Sequence, residues 1–166
     1  MRYRFAWVIA VTAGTVVLPG AGVSPASAQT AQQWKCTGNP DIPWDQQIVG
    51  CTKAIQSGQF SGTRLNWAYY NRGNAYYNTR DFDRAIADYN RSIQLDPNNS
   101  SWDHNGRGLA WKAKGDLDRA IADFSEAIRL DPKHAKAYTN RGNAYEAKGD
   151  HDRALADYDQ VKRLSR

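Results

Sequence analysis

Two cysteines, three histidines and a recurring series of aspartates are the side chains of this 166-residue chain with the means to do chemistry. Cys36 and Cys51 stand fifteen positions apart, which excludes a Cys-x-x-Cys redox pair or haem attachment, and no histidine shares their segment to activate a thiolate. His104, His134 and His151 fall on different turns without the spacing of metal ligands, and no glycine-rich phosphate loop precedes a helix. The acids recur at fixed positions, as surface residues of a repeat would. The expectation is a chain that is not an enzyme, with no metal and no cofactor. The rival to test is an enzyme subunit working through His104 or the cysteines.

Three segments superpose almost without gaps: 66–99, 101–134 and 135–166, a 34-residue period with Ser100 as one extra residue. Asn71-Arg72-Gly73-Asn74-Ala75-Tyr76 recurs at 140–145, with Gly106-Arg107-Gly108-Leu109-Ala110-Trp111 between them. Asp83-Arg84-Ala85-Ile86-Ala87-Asp88-Tyr89 returns at 118–124 and again at 152–158 with conservative changes. Apolar residues at three- and four-residue spacing, punctuated by Gly-Asp and Asp-Pro, predict two helices per unit. In the second unit these run over about Ser101–Lys114 and on to Leu130, with Gly115-Asp116 as the turn. Gly73, Gly108 and Gly142 and the alanines Ala85, Ala120 and Ala154 mark where the helices approach. Tyr76, Trp111 and Tyr145, with Tyr89, Phe124 and Tyr158, fill the space between them. Arg72, Arg107 and Arg141 each precede an acid by sixteen residues, Asp88, Asp123 and Asp157, a spacing that predicts half-exposed pairs contributing about 0.5 kcal/mol each.

The set Gly108, Trp111, Ala120, Phe124, Ala127 and Pro132, matched by Gly73, Tyr76, Ala85, Tyr89, Ser92 and Pro97, resembles the tetratricopeptide repeat over 66–166. His104 departs from the usual aromatic, and Arg80 from the turn glycine. The resemblance implies an all-α fold, an α-solenoid of three helical hairpins, whose first helices line a concave surface that receives another polypeptide. Counting faces on those helices gives Trp67, Tyr70, Asn71, Asn74 and Tyr77 from the first unit. The second adds Trp102, Asn105, Leu109 and Lys112, and the third Lys136, Asn140 and Asn143. Amides that donate and accept together, beside aromatic side chains, suit an extended peptide. In some members of the family asparagines with Lys or Arg hold a terminal carboxylate. Lys136 and Asn140 match that kind, but Tyr70 stands where a lysine would be needed. The alternative is a glycan or peptidoglycan binder, with Trp67, Tyr70 and Trp102 as stacking platforms.

The ends differ from the middle. A helix over about Asp45–Ser57 resembles a lone second helix, with Cys51 in the place of Phe124, and would cap the first hairpin. At the other end Lys162 replaces Ile93 and Ile128, giving the polar face a terminal repeat needs and leaving a monomer or weak dimer. Arg2 and Arg4, the run Phe5–Leu18, and Ala26-Ser27-Ala28 have the order of a cleavable export signal over 1–28. Fourteen residues of helix rise about 21 Å, short of a bilayer core of about 30 Å, so no membrane anchor is expected to remain. Export to the periplasm or cell exterior makes oxidation of Cys36 and Cys51 to a disulfide the expectation, stapling the leader to the capping helix within 29–62, ahead of the repeats at 63–166. Removing the signal's two arginines takes the formal charge from +5 to +3, with acids and bases interleaved, which argues against nucleic acid as a partner.

Overall fold

The computed structural model describes residues 35–166; the proposed signal over 1–28 lies outside the described residues. Those residues form seven α-helices and no strand. α1 is Trp44–Gln56, α2 Asn66–Asn78, α3 Phe82–Leu95, α4 Ser101–Ala113, α5 Leu117–Leu130, α6 Ala135–Ala147 and α7 His151–Leu164. Single 3₁₀ turns at Gly62–Leu65 and Pro97–Asn99 lead into α2 and α4. Each helix packs on its neighbours in sequence, so the chain is a stack of hairpins α2/α3, α4/α5 and α6/α7, with α1 laid against α2. The helical hairpins and their period are as the sequence implied.

Local chemistry repeats with the fold. Asp81, Asp116 and Asp150 cap α3, α5 and α7 by accepting from the backbone N–H of Arg84, Arg119 and Arg153, at 3.1, 3.0 and 3.2 Å. The same arginines pair back to the capping carboxylates, and each guanidinium lies over the aromatic ring of its own first helix, Tyr76, Trp111 or Tyr145, at 4.2–4.6 Å. Within each hairpin the glycine of the first helix meets the aromatic of the second: a Cβ on Gly108 would stand 2.6 Å from the Phe124 ring. The helix axes can approach this closely only without that carbon.

Between the helices of a hairpin the turn residue takes a left-handed conformation, φ +85° at Gly115 and +80° at Gly149, whereas the first hairpin places Arg80 there at +63°. A Cβ in that region costs about 1–2 kcal/mol, partly offset by glycine's greater entropy in the unfolded chain. Arg80→Gly is therefore expected to stabilise the protein by about 1 kcal/mol in urea unfolding; a loss of stability would show that the Arg80 side chain contributes more than its backbone costs.

The arginine ladder is more buried than its sequence spacing suggested. Asp88, Asp123 and Asp157 are 5–6% exposed instead of half-exposed, because they face the seam between consecutive units. Arg72, Arg107 and Arg141 grip these carboxylates through Nε and Nη2 at 2.6–2.9 Å. Their Nη1 atoms reach into the preceding helix, to Thr52, Asn90 and Ser125. Thr52 lies on α1, which thus meets the first hairpin in the register that α3 and α5 use for the next.

Cys36 and Cys51 are joined in a disulfide, fully buried with Ala54 and Ala68 and packed by Ile55 and Trp67. At the opposite end Leu155 is 58% exposed where its counterpart Ile86 is 7% exposed. None of the described helices is long and apolar enough to cross a membrane.

Candidate functional site

The first helices of the three units converge on a cleft of about 500 Å³. α2 contributes Tyr70, Asn74 and Tyr77, α4 contributes Trp102, Asn105 and Leu109, and α6 contributes Lys136 and Asn140. These eight were all among the residues expected on the concave face. Four others of that set lie elsewhere. Trp67 turns into the disulfide cluster, edge-on to Phe60 at 5.6 Å. Asn71 donates to the Cys36 carbonyl at 3.1 Å and so holds the leader. Lys112, near the end of α4, and Asn143, one turn beyond Asn140, are outside the cleft lining. The platform of Trp67, Tyr70 and Trp102 imagined for a sugar is not assembled, because Trp67 packs in the amino-terminal core.

Face counting missed Asn78, Tyr89, Gly106, Ala135 and Thr139. Tyr89 belongs to a second helix, and its ring was read as core filler, which it also is, at 1% exposed. Its hydroxyl nonetheless emerges on the cleft floor and donates to Asn74 Oδ1 at 2.7 Å. Gly106 permits this, for a Cβ there would lie 2.7 Å from the Tyr89 ring.

Several cleft side chains are oriented before any partner arrives. Asn140 donates to Asn105 Oδ1 at 2.8 Å, which leaves an Asn105 N–H and the Asn140 oxygen for a ligand. Asn78 donates to the Asn74 carbonyl at 2.8 Å, freeing its own oxygen. Trp102, 48% exposed, is braced from behind by the His134 ring at 4.1 Å, and the Lys136 ammonium stands 5.5 Å from its ring centre. Lys136 is the one charged residue of the lining. Burial raises the phenol of Tyr70, against the neighbouring Asn74 amide, and raises that of Tyr89 far above the usual range, so both remain neutral donors. Burial also lowers the His134 imidazole and favours its neutral form.

The other two histidines are engaged elsewhere. His104 Nδ1 lies 3.3 Å from both Asp123 Oδ1 and the Arg107 guanidinium, within the ladder and outside the cleft, and His151 meets Glu146 at the surface. Among the described residues no three His, Cys, Asp or Glu side chains are grouped to hold a metal ion.

Repeated hairpins, small residues at each crossing and a polar cleft built from first helices define a helical-repeat scaffold. The tetratricopeptide repeat profile matches residues 67–99 and 135–166, and a second TPR repeat profile matches 108–149. The chain belongs to the tetratricopeptide repeat family. Neither profile covers 100–107, the start of α4, where Asp103, His104 and Gly106 replace the Ala, Tyr and Asn that the other two units carry. No curated protein sequence matches it significantly. Among solved structures, it is similar to the second TPR of Spaghetti (RPAP3) bound to HSP90 peptide SRMEEVD, at 28% identity and TM-score 0.59 over 61% of this chain and 94% of that one. The Arabidopsis OM64 TPR domain is 26% identical, TM-score 0.60, over 63% and 85% of the two chains. MamA shares the fold at TM-score 0.71 and 24% identity over 84% of this chain and 78% of its own.

Proposed function

We propose that this protein is a non-enzymatic interaction module that binds an extended segment of another polypeptide in the cleft between α2, α4 and α6. The observation that carries this reading is the cleft's composition: oriented amides for a peptide backbone, an exposed and braced tryptophan, and a single cation. An amide can meet a backbone from either side, and a rigid aromatic gives contact area at low entropy cost. Lys136 without an acid beside it in the lining favours a segment that is neutral or acidic. The 28% identical Spaghetti domain, bound to an acidic HSP90 peptide, supports the same class of partner. One lysine, with Tyr70 on the opposite wall, makes a weaker grip on a carboxylate than two cations would. The buried disulfide supports an exported protein working in an oxidising compartment, in line with the signal-like run before it.

A phage-displayed library of random dodecapeptides, panned against the full-length protein, tests the reading. Peptides binding with a Kd tighter than about 100 µM should be recovered. Trp102→Ala should weaken them at least tenfold, about 1.4 kcal/mol, while leaving the helical signal unchanged, because Trp102 is exposed in the free protein. Recovery of no such peptide, or equal affinity for the variant, would remove the cleft as the binding surface.

A further inference from the structure

The cleft floor follows a rule that recurs across the units. Fifteen residues separate Asn74 from Tyr89, Leu109 from Phe124 and Asn143 from Tyr158, one member of each pair on the first helix of a hairpin and one on the second. Where the first helix carries asparagine, the second carries tyrosine, and the phenol donates to the amide oxygen, at 2.7 Å for Tyr89–Asn74 and 2.8 Å for Tyr158–Asn143. Where it carries leucine, the second carries phenylalanine, and Leu109 packs against the Phe124 cluster. A mixed pair would be poor on both sides. Asparagine over a phenyl ring loses the donor for its oxygen, and leucine over a phenol strands a hydroxyl.

The matching has a consequence for whatever lies on the floor. With Oδ1 held by a phenol, Asn74 and Asn143 have their N–H groups left to act as donors, those of Asn74 beside the Tyr70 phenol. Leu109, between them, offers an apolar surface. Asn74 and Leu109 line the cleft, and Asn143 sits at the equivalent position of α6, beyond its edge. The three units thus present donor, apolar surface and donor in sequence along the concave face.

We propose that this floor reads its partner as acceptor, apolar, acceptor: an extended polypeptide segment that sets a carbonyl or carboxylate oxygen over Asn74, an aliphatic or aromatic side chain over Leu109, and a second acceptor oxygen over Asn143. The inference rests on the cleft being a polypeptide site, and it adds which feature of the segment each unit selects. Selectivity of this kind is asymmetric. An amide or a hydroxyl group placed over Leu109 is desolvated without a partner, and an alkyl group placed over Asn74 leaves buried N–H groups unpaired.

The test exchanges one pair for the other. Leu109→Asn combined with Phe124→Tyr rewrites the middle unit in the terms of its neighbours, and the flanking units show that such a pair fits the hairpin. The single Leu109→Asn variant should melt lower than the wild type, and adding Phe124→Tyr should restore most of the loss; no restoration would overturn the pairing rule. The same dodecapeptide library is then panned on the wild type and on the double variant. The wild type should enrich one apolar position flanked by acceptor-bearing residues. The double variant should lose that apolar preference and bind the wild-type peptides at least tenfold more weakly. Enrichment of the same motif at equal affinity on both proteins would overturn the floor code while leaving the cleft as a peptide site. No enrichment on the wild type would remove both.

Discussion

Asp123→Ala is expected to lower stability by about 3 kcal/mol and the melting temperature by about 10 °C, far more than a surface pair would cost. The carboxylate is 6% exposed and accepts from Arg107 Nε at 2.8 Å and Nη2 at 2.6 Å, with His104 Nδ1 at 3.3 Å. Deleting it leaves a guanidinium, only 21% exposed, facing the seam between α3 and α5 with Asn90 as its main remaining partner. Burial by itself would raise the Asp123 carboxyl, but the hydrogen bonds from Arg107 and His104 outweigh it and hold it below the ordinary aspartate range. A folded-state pKa below the unfolded one contributes stability above the unfolded value and loses it as pH falls through the folded value. The gap between wild type and variant should therefore be full at neutral pH and close below about pH 4. Thermal melts followed by circular dichroism at pH 7 and pH 3 check this, and a loss under about 1 kcal/mol at pH 7 would place the pair among ordinary surface bridges.

The neighbouring acid should behave in the opposite way. Asp103→Ala is expected to stabilise the protein at neutral pH, by up to about 3 kcal/mol. Asp103 is 3% exposed, and its Oδ1 has no hydrogen-bond partner. The equivalent residues of the other units, Ala68 and Ala137, are both fully buried, so the site accepts a methyl group. Burial, opposed in part by Ser92 and His104, pushes the Asp103 carboxyl up to about 6 from an ordinary 3.8. A raised carboxyl pKa means that the folded protein holds a proton the unfolded chain has released, so the group weakens the fold progressively as pH rises from about 4 to about 6. The advantage of the alanine variant should be greatest above pH 6 and shrink to about a third at pH 4.5, as read from urea unfolding at the two values. A variant less stable than wild type at pH 7.5 would mean that the carboxylate has found a partner in the folded protein.

These two acids show where a linear reading reaches its limit. The sixteen-residue spacing revealed that Asp123 has an arginine partner, but not that the pair lies in the seam between units. Burial depends on how one hairpin seats on the next, and seating is a property of the stack. Asp103 gave no signal beyond a mismatch with alanine, and the meaning of that mismatch, a carboxylate oxygen with no donor, requires the packed neighbours Ser92 and His104. Tyr89 was read as core from its spacing, and its ring is core. That its hydroxyl passes between Gly73 and Gly106 to reach the cleft is a matter of a few tenths of an ångström at two helix crossings.

The groove divides along the same line. Periodicity placed Tyr70, Asn74, Tyr77, Trp102, Asn105, Leu109, Lys136 and Asn140 on one surface, because a helix turns by a fixed angle per residue and a face can be counted. Counting could not tell that Trp67 and Asn71, on the same helix, are claimed by a leader from outside the repeats. By itself the sequence determined the helices, their pairing into hairpins and the identity of the family, since these follow from side-chain size and polarity recurring at a short period. Only the tertiary structure decided which charges are buried, which amide atoms are already spent and which remain for a partner. Those depend on contacts between units, where hydrogen-bond geometry and exclusion of water are set by groups far apart in the chain.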